Sequence, residues 1–175
     1  MRTRKILSLA FLGFALFLGV NSFAQKASKN IVEVAVGSDN HTTLVAAIKA
    51  AELVETLSGK GPFTVFAPTN EAFEKLPKGT VESLLEPKNL KKLQGILTYH
   101  VVAGKLDSKA VIAAITAGKG KAVLTTVQGA KLTASLKGKN VILSDDSGGF
   151  AIVTAVDLNA NNGIIHVIES VLTHK

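Results

Sequence analysis

Hydrophobic and polar residues repeat with two different periods along this chain, and the change of period divides it into two parts. In the first part, apolar residues recur at helical spacing. Within TTLVAAIKAAELVETL the positions i, i+3, i+4 and i+7 are Leu44, Ala47, Ile48 and Ala51. This spacing predicts an amphipathic helix whose start is capped by Thr42 or Thr43. KNLKKLQGILTYHVV keeps the same spacing, and a short helix is predicted over residues 108–117.

From Ala122 onward the period changes to two, which is typical of strands with one solvent-facing side. AKLTASL alternates apolar and polar residues, and turn signals separate it from VLTTV, NVILS and FAIVTAV. NNGIIHVIESVL is apolar on both faces from Ile164 to Ile168, which predicts a central strand covered on two sides. The pattern therefore predicts an α+β fold, with helices packed on a mostly antiparallel sheet.

The N-terminal segment has the pattern of a secretory signal peptide. Basic residues at positions 2, 4 and 5 precede an apolar run from Ile6 to Val20, and Ser22-Phe23-Ala24 follows as a cleavage pattern. We expect residues 1–24 to be removed and residues 25–175 to form one domain. The formal charge then falls from +7 to +4, because the segment holds three of the 20 basic and none of the 13 acidic residues. The expected location is periplasmic or extracellular, with no membrane span after cleavage.

Motifs for catalysis or cofactor binding are missing from the sequence. It has no cysteine, no GxSxG motif, and no pair of histidines at metal-ligand spacing. GKGKAV precedes a strand instead of opening a helix, so it is interpreted as a turn, and SDDSGG as the tip of a hairpin. We predict no catalytic residues, no metal ligands and no cofactor, and therefore no enzymatic activity.

The remaining polar residues favour structural roles or weak surface attraction. By spacing, His100 lies on the apolar stripe of its helix and His166 on one face of the central strand, which predicts hydrogen-bonded core groups. The lysines are spread over the chain, and the mature part has few aromatic residues, so nucleic-acid binding is not expected. Attraction to an anionic polysaccharide or cell surface stays open.

TVFAPTNEAF, residues 64–73, is the segment that most resembles a reactive turn. Its β-type run ends at Pro68, Thr69 is placed to cap a new helix, and Pro68 and Phe73 have the spacing of a hydrophobic staple. We interpret it as a joint between a strand and a helix.

Three motifs in fixed order resemble the fasciclin domain family. They are TVFAPTNEAF, the Tyr-His pair in LTYHVVAGKL, and NGIIHVIESVL, and the resemblance covers Asn30 to Leu172. It implies a fold with a wedge-shaped sheet and several helices, and a non-catalytic role in adhesion. It also implies that Thr69, Asn70 and His100 link the first motif to the Tyr-His helix. Asn162, Gly163 and His166 would hold the last motif.

The same resemblance suggests where a partner binds. Adhesive animal members use the Tyr-His region and an Asp-Ile pair in integrin binding, which makes Tyr99, His100, Asp157 and Leu158 the binding candidates here. The Asn-Lys that precedes the pair in those members is replaced by Ala155-Val156, which argues against integrin recognition.

Two functions follow as expectations. The first is an exported, monomeric contact module that binds a cell-surface or matrix protein or polysaccharide. The second is a soluble carrier of a small apolar, carotenoid-like ligand, because some fasciclin-type proteins bind such pigments and this chain is rich in aliphatic residues.

Overall fold

The computed structural model describes residues 28–174, in which seven α-helices and seven strands follow one another. The predicted signal peptide, residues 1–24, lies outside the described residues. The helices are α1 (Ile31–Val36), α2 (Thr42–Ala50), α3 (Val54–Ser58), α4 (Asn70–Glu74), α5 (Thr80–Leu85), α6 (Leu90–Tyr99) and α7 (Ser108–Ala117). The strands are β1 (Phe63–Pro68), β2 (Val101–Ala103), β3 (Lys121–Thr125), β4 (Lys131–Lys137), β5 (Asn140–Ser144), β6 (Phe150–Ala160) and β7 (Gly163–Ile168).

All seven strands join one sheet in the order β2-β1-β7-β6-β5-β4-β3. The pairing of β1 with β7 is parallel, and every other pairing is antiparallel. An isolated bridge between Val102 and Thr126 connects the two ends of the sheet, so that it curls into a near-barrel. The predicted α+β class and the mostly antiparallel sheet are confirmed.

The central strand β7 separates two apolar clusters. Every residue of β7 is buried, as its two-sided apolar pattern predicts. On one side, Ile165 packs with the buried faces of α1, α2 and α6. On the other side, Ile168 packs with residues of α7 and with the inward-facing residues of β3, β4 and β5. The strand therefore holds the helical half and the hairpin half together.

The predicted long helix from residue 42 is interrupted. Its backbone leaves the helix after Ala50, Glu52 takes a φ of 58°, and α3 begins at Val54. The predicted cap is also wrong, because a 3-10 turn (Asp39–His41) precedes α2 and His41 occupies the cap position without a side-chain bond. In contrast, α7 and β5 have the predicted bounds. Within residues 28–174, none of the helices has both the length and the apolar character needed to cross a bilayer.

Candidate binding surface

Asp157 lies at an irregular point of β6 and is held from the inside of the molecule. The register between β6 and β7 shifts on both sides of Ala155, and Asp157 has a φ of 61°. Its carboxylate accepts hydrogen bonds from the Ser108 backbone N–H at 2.8 Å and from the Ser108 hydroxyl. Burial alone would raise the pKa of Asp157, but the two bonds from Ser108 outweigh it and lower the pKa. The carboxylate is therefore engaged with the start of α7.

The residues beside Asp157 are the exposed part of this bulge. Val156 is 44% exposed and Leu158 is 40% exposed. Because Asp157 is tied to α7, its two apolar neighbours are displayed on a fixed backbone. We call Val156, Asp157 and Leu158 the β6 bulge.

His166 supports the β6 bulge from below. It is 2% exposed, and its Nδ1 atom lies 3.4 Å from the backbone N–H of Asp157, which donates to it. Its Nε2 atom lies 2.8 Å from the Leu106 carbonyl oxygen, to which it donates. The Thr64 hydroxyl holds the same loop, because it donates to Gly104 O and accepts from Leu106 N–H. His166 is thus a core group with both nitrogens used, and Thr64 is a partner that sequence reasoning missed.

Tyr99 and His100 lie in the core, with exposures of 0% and 3%. The Tyr99 hydroxyl donates to the Lys131 carbonyl at 2.9 Å, and burial, aided by the nearby Asp146 and Asp145 carboxylates, raises its pKa to about 12. The Nε2 atom of His100 accepts from Leu172 N–H at 3.1 Å, so its Nδ1–H donates to Ile96 O at 2.8 Å. Direct contact of either side chain with a partner would require the core to open.

The joint at residues 64–73 forms as predicted, but its polar pair does not reach the Tyr-His segment. Thr69 caps α4 by accepting from Ala72 N–H at 3.3 Å. Asn70 points to the helices instead: its amide donates to Asp39 O, and its oxygen accepts from Thr43 N–H and the Thr42 hydroxyl. The expected link is made by backbone, where Phe66 N–H donates to His100 O at 2.9 Å. The sequence pattern identified the joint and assigned its side chains to the wrong neighbour.

Asn162 and Gly163 fasten the start of β7 to three other segments. Asn162 accepts from Ile31 N–H and donates to the carbonyl oxygens of Leu57 and Gly59. A Cβ atom on Gly163 would lie 2.1 Å from the Phe63 carbonyl oxygen, so only glycine allows β1 and β7 to approach this closely. Both residues are therefore structural, because they fix the position of β7 against neighbouring segments.

Comparison with known proteins gives the family. The sequence model of the Fasciclin domain matches residues 39–174. The chain belongs to the fasciclin domain family. The fold agrees with a solved FAS1 domain pair from the insect cell adhesion molecule Fasciclin I, with a TM-score of 0.74 at 16% identity. That match covers 84% of this chain and 51% of the other.

Relatives of this fasciclin domain occur alone and inside longer proteins. The protein sll1483 of Synechocystis sp. is 48% identical over 87% of this chain and 78% of its own length. The transforming growth factor-beta-induced protein ig-h3 of Sus scrofa is 39% identical over 81% of this chain but only 19% of its own length. Immunogenic protein MPB70 of Mycobacterium bovis is 37% identical over 79% of this chain and 67% of its length.

Within the fasciclin fold, the binding candidates separate into two groups. Tyr99 and His100 are interior, whereas Asp157 and Leu158 belong to the β6 bulge, where Leu158 is exposed. Sequence reasoning missed Ser108, which fixes the bulge, although its place at the start of a predicted helix was visible. It also missed Val156, whose exposure depends on the register shift in β6.

Proposed function

We propose that this protein is an exported, non-catalytic contact module that binds a protein or glycan on a cell surface or in a matrix. One observation carries the proposal: the polar groups that the sequence singled out as candidates are occupied inside the fold. Tyr99, His100, His166 and Asp157 all have internal hydrogen-bond partners. Asp157's neighbours Val156 and Leu158 are exposed and apolar, which suits recognition better than chemistry.

Membership of the fasciclin family supports this proposal. The solved pair that shares the fold comes from a protein described as an insect cell adhesion molecule. An adhesive role, a periplasmic or extracellular location and a monomeric state are parts of the same proposal. The basic character of the expected mature chain fits a partner with negative charge.

We assign the protein-contact role to the β6 bulge. Val156 and Leu158 supply exposed apolar area on opposite sides of β6, the first beside Phe66 and the second beside Ile165. Asp157 holds the strand between them through its bonds to Ser108. Tyr99 and His100 are buried, so they contribute to binding only indirectly, by shaping the core.

A binding experiment with cell-surface material tests the proposal. The purified protein is expected to bind a cell-surface fraction of its native organism, measured by pull-down and biolayer interferometry. The double variant Val156→Ser/Leu158→Ser should bind about tenfold more weakly, because it loses two apolar contacts. The matched control is Val36→Ser/Ile112→Ser, which changes two exposed aliphatic residues on α1 and α7 and should bind like the wild type.

Absence of binding to every surface fraction would refute the proposed function. Equal losses of binding in the bulge and control variants would refute only the assignment to the β6 bulge and would leave the proposed function standing. Thermal denaturation of each variant verifies that the fold is retained.

Carriage of a small apolar ligand stays a second proposal with less support. An apolar cavity lined by Phe66, Val111 and His166 has a volume of about 10 Å³, and another beside Leu158 has about 40 Å³. Sites for small ligands usually measure roughly 300–1,000 Å³. Clefts of that size, one of about 700 Å³ beside Lys60 and Lys105 and one of about 300 Å³ beside Leu84 and Lys92, include charged residues in their lining. A carotenoid-sized molecule would need one of these clefts or a rearranged core. Protein purified from the native source should show visible absorbance and extractable lipid if this function is correct; a colourless, lipid-free preparation would exclude it.

A further inference from the structure

No helix in residues 28–174 covers one broad face of the sheet. In β3, β4, β5 and the start of β6, buried residues alternate with exposed or half-buried ones. The buried set, which includes Leu124, Leu132 and Leu143, packs inward against α7. The opposite set is the outer sheet face, made of Lys121, Val123, Thr125, Lys131, Thr133, Ser135, Lys137, Asn140, Ile142, Ser144, Phe150 and Ile152.

Strand pairing arranges residues of the outer sheet face in two rows that cross the strands. The first row crosses the four strands through Lys121, Ser135, Ile142 and Ile152. The second crosses them through Val123, Thr133, Ser144 and Phe150. The second row therefore has hydroxyl groups on the inner strands and apolar side chains on its flanks, whereas the first has one hydroxyl, one lysine and two isoleucines.

The exposure of this face is unusual for its apolar residues. Val123 is 62% exposed and Phe150 is 60% exposed, the highest values among the exposed large hydrophobic residues. The cluster that contains α1, α2 and α6 covers β1 and β7 on this side of the sheet, and among residues 28–174 it includes nothing from β3, β4 or β5. A surface with hydroxyls and one exposed aromatic ring thus lies on the outer side of the curled sheet, with no helix of residues 28–174 over it.

The charges on the outer sheet face have one sign. Lys121, Lys131 and Lys137 lie at its margins, and its members include no carboxylate. Of the nearby acids, Asp145 accepts from the backbone N–H groups of Ser147, Gly149 and Thr173. Asp146 pairs with His174 at 2.6 Å. These hydrogen bonds leave both carboxylates charged, but neither Asp145 nor Asp146 is a member of the outer sheet face, whose own charged side chains are all lysines.

We infer that the outer sheet face binds an acidic polysaccharide. Phe150 offers a flat apolar surface to the C–H face of a sugar ring. The hydroxyls of Thr133, Ser135 and Ser144 can exchange hydrogen bonds with sugar hydroxyls, and the lysines attract carboxylate or sulfate groups along the chain. This inference rests on the proposed function and names the class of partner.

Two other occupants fit the face less well. A second copy would bring two sets of three lysines together, and juxtaposed like charges oppose association. A folded protein partner usually inserts an anchoring side chain into a pocket, whereas the residues of these two rows lie on the convex outer side of the curled sheet. A long polyanion can follow such a surface and matches its charge.

The first test changes the lysines. Binding to polygalacturonate, to dextran sulfate and to neutral dextran is measured by affinity electrophoresis and calorimetry. The wild type should bind one or both acidic polymers but not dextran, and binding should weaken as salt rises from about 0.05 to about 0.5 M. Lys121→Gln/Lys131→Gln/Lys137→Gln should bind about tenfold more weakly. Lys49→Gln/Lys78→Gln/Lys92→Gln removes the same charge from the helical surface and should retain binding.

The second test separates recognition from simple charge. Phe150→Ala keeps every lysine and should weaken binding about threefold or more, whereas Val36→Ala on α1 should have no effect. Inorganic polyphosphate supplies a polyanion without sugar rings or bases, and the wild type should bind it more weakly than the acidic polymers.

Three outcomes would overturn the inference. They are wild-type binding to neither acidic polymer, equal losses in the two lysine variants, and binding to polyphosphate that matches binding to the polysaccharides. If the protein still binds a cell-surface fraction through the β6 bulge, the proposed function survives this failure. If it binds no surface fraction at all, both fail.

Discussion

The polar residues that suggest chemistry in the sequence stabilise the fold in three dimensions. His100 shows this best, because both ring nitrogens are used by backbone groups on two different segments. Burial, the largest cause, disfavours the charged imidazolium and lowers the pKa of His100 to about 4. A neutral imidazole of this kind acts as a fixed hydrogen-bond donor and acceptor, and protonation would convert its accepting nitrogen to a donor facing the Leu172 N–H.

His100 is expected to make the protein sensitive to mild acid. Its pKa is 6.5 in the unfolded chain and about 4 in the folded one, so the unfolded state takes up the proton first as pH falls. The stability that the folded state gains from a neutral His100 is fully present above pH 6.5 and decreases as pH falls from 6.5 to about 4. The free energy of unfolding falls by about 3 kcal/mol in total over this window. Urea unfolding at several pH values should show this decrease in the wild type.

The variant His100→Gln provides the comparison. It should be less stable at neutral pH by about 1–3 kcal/mol, because a buried hydrogen bond is lost, but its stability should depend less on pH across that window. His174→Gln changes an exposed histidine, so the part of the pH dependence of stability that His100 causes should stay as in the wild type. The same pH slope in the wild type and in His100→Gln would contradict the assignment.

At the scale of elements, the close pairing of β1 with β7 organises the sheet. This parallel pair runs from Phe63 beside Gly163 to Pro68 beside Ile168. Asn162 ties its beginning to α1 and to the end of α3, and Thr69 N–H donates to Ile168 O at its other end. The pair is therefore fixed at both ends.

Two glycine substitutions should have opposite effects on stability. Gly163→Ala would place a Cβ atom 2.1 Å from Phe63 O and force β1 and β7 apart, with an expected loss of about 1–3 kcal/mol or more. Gly95→Ala lies within α6, and the nearest atoms to its Cβ are 3.8 Å away. It should stabilise the protein by about 0.5–1 kcal/mol, because alanine favours the helix. Chemical denaturation measures both, and equal stability of the two variants would contradict the packing argument.

At the scale of the whole molecule, the helical and hairpin halves share their central strands. Phe66 and Ile168 belong to one apolar cluster, while Val65, Ala67 and Ile165 of the same strands belong to the other. Loss of either cluster would expose one face of β1 and β7 to water. We therefore expect the two halves to unfold together.

The single tyrosine makes this expectation measurable. The chain contains one Tyr and no Trp, and Tyr99 is buried in the cluster of the hairpin half. Tyrosine fluorescence therefore follows that half, whereas far-UV circular dichroism is weighted to the helices. The two urea transitions should have the same midpoint. Separate midpoints would show that the halves unfold independently.

The sequence predicted the elements whose signals are local. Alternation specified β4 and β5, an apolar stripe specified α6, and a two-sided apolar run specified β7 as the central strand. It failed at the break after α2, because Ala51-Glu52-Leu53 carries no strong breaker and the positive φ of Glu52 is imposed by its surroundings. It failed again for Asn70, whose partners come from residues about 30 positions earlier in the chain.

By itself, then, the sequence determined the α+β class, the family resemblance and the joint at residues 64–73, because these depend on periodicity, capping and turn chemistry within short windows. Only the tertiary structure decided which candidates are accessible. Burial placed Tyr99 and His100 inside, and the register shift of β6 turned Val156 and Leu158 outward. The same strand register aligned Val123 with Phe150 across four strands to form a face. The exposure of a side chain depends on contacts between segments that are far apart in the sequence, and a pattern within a short window does not specify those contacts.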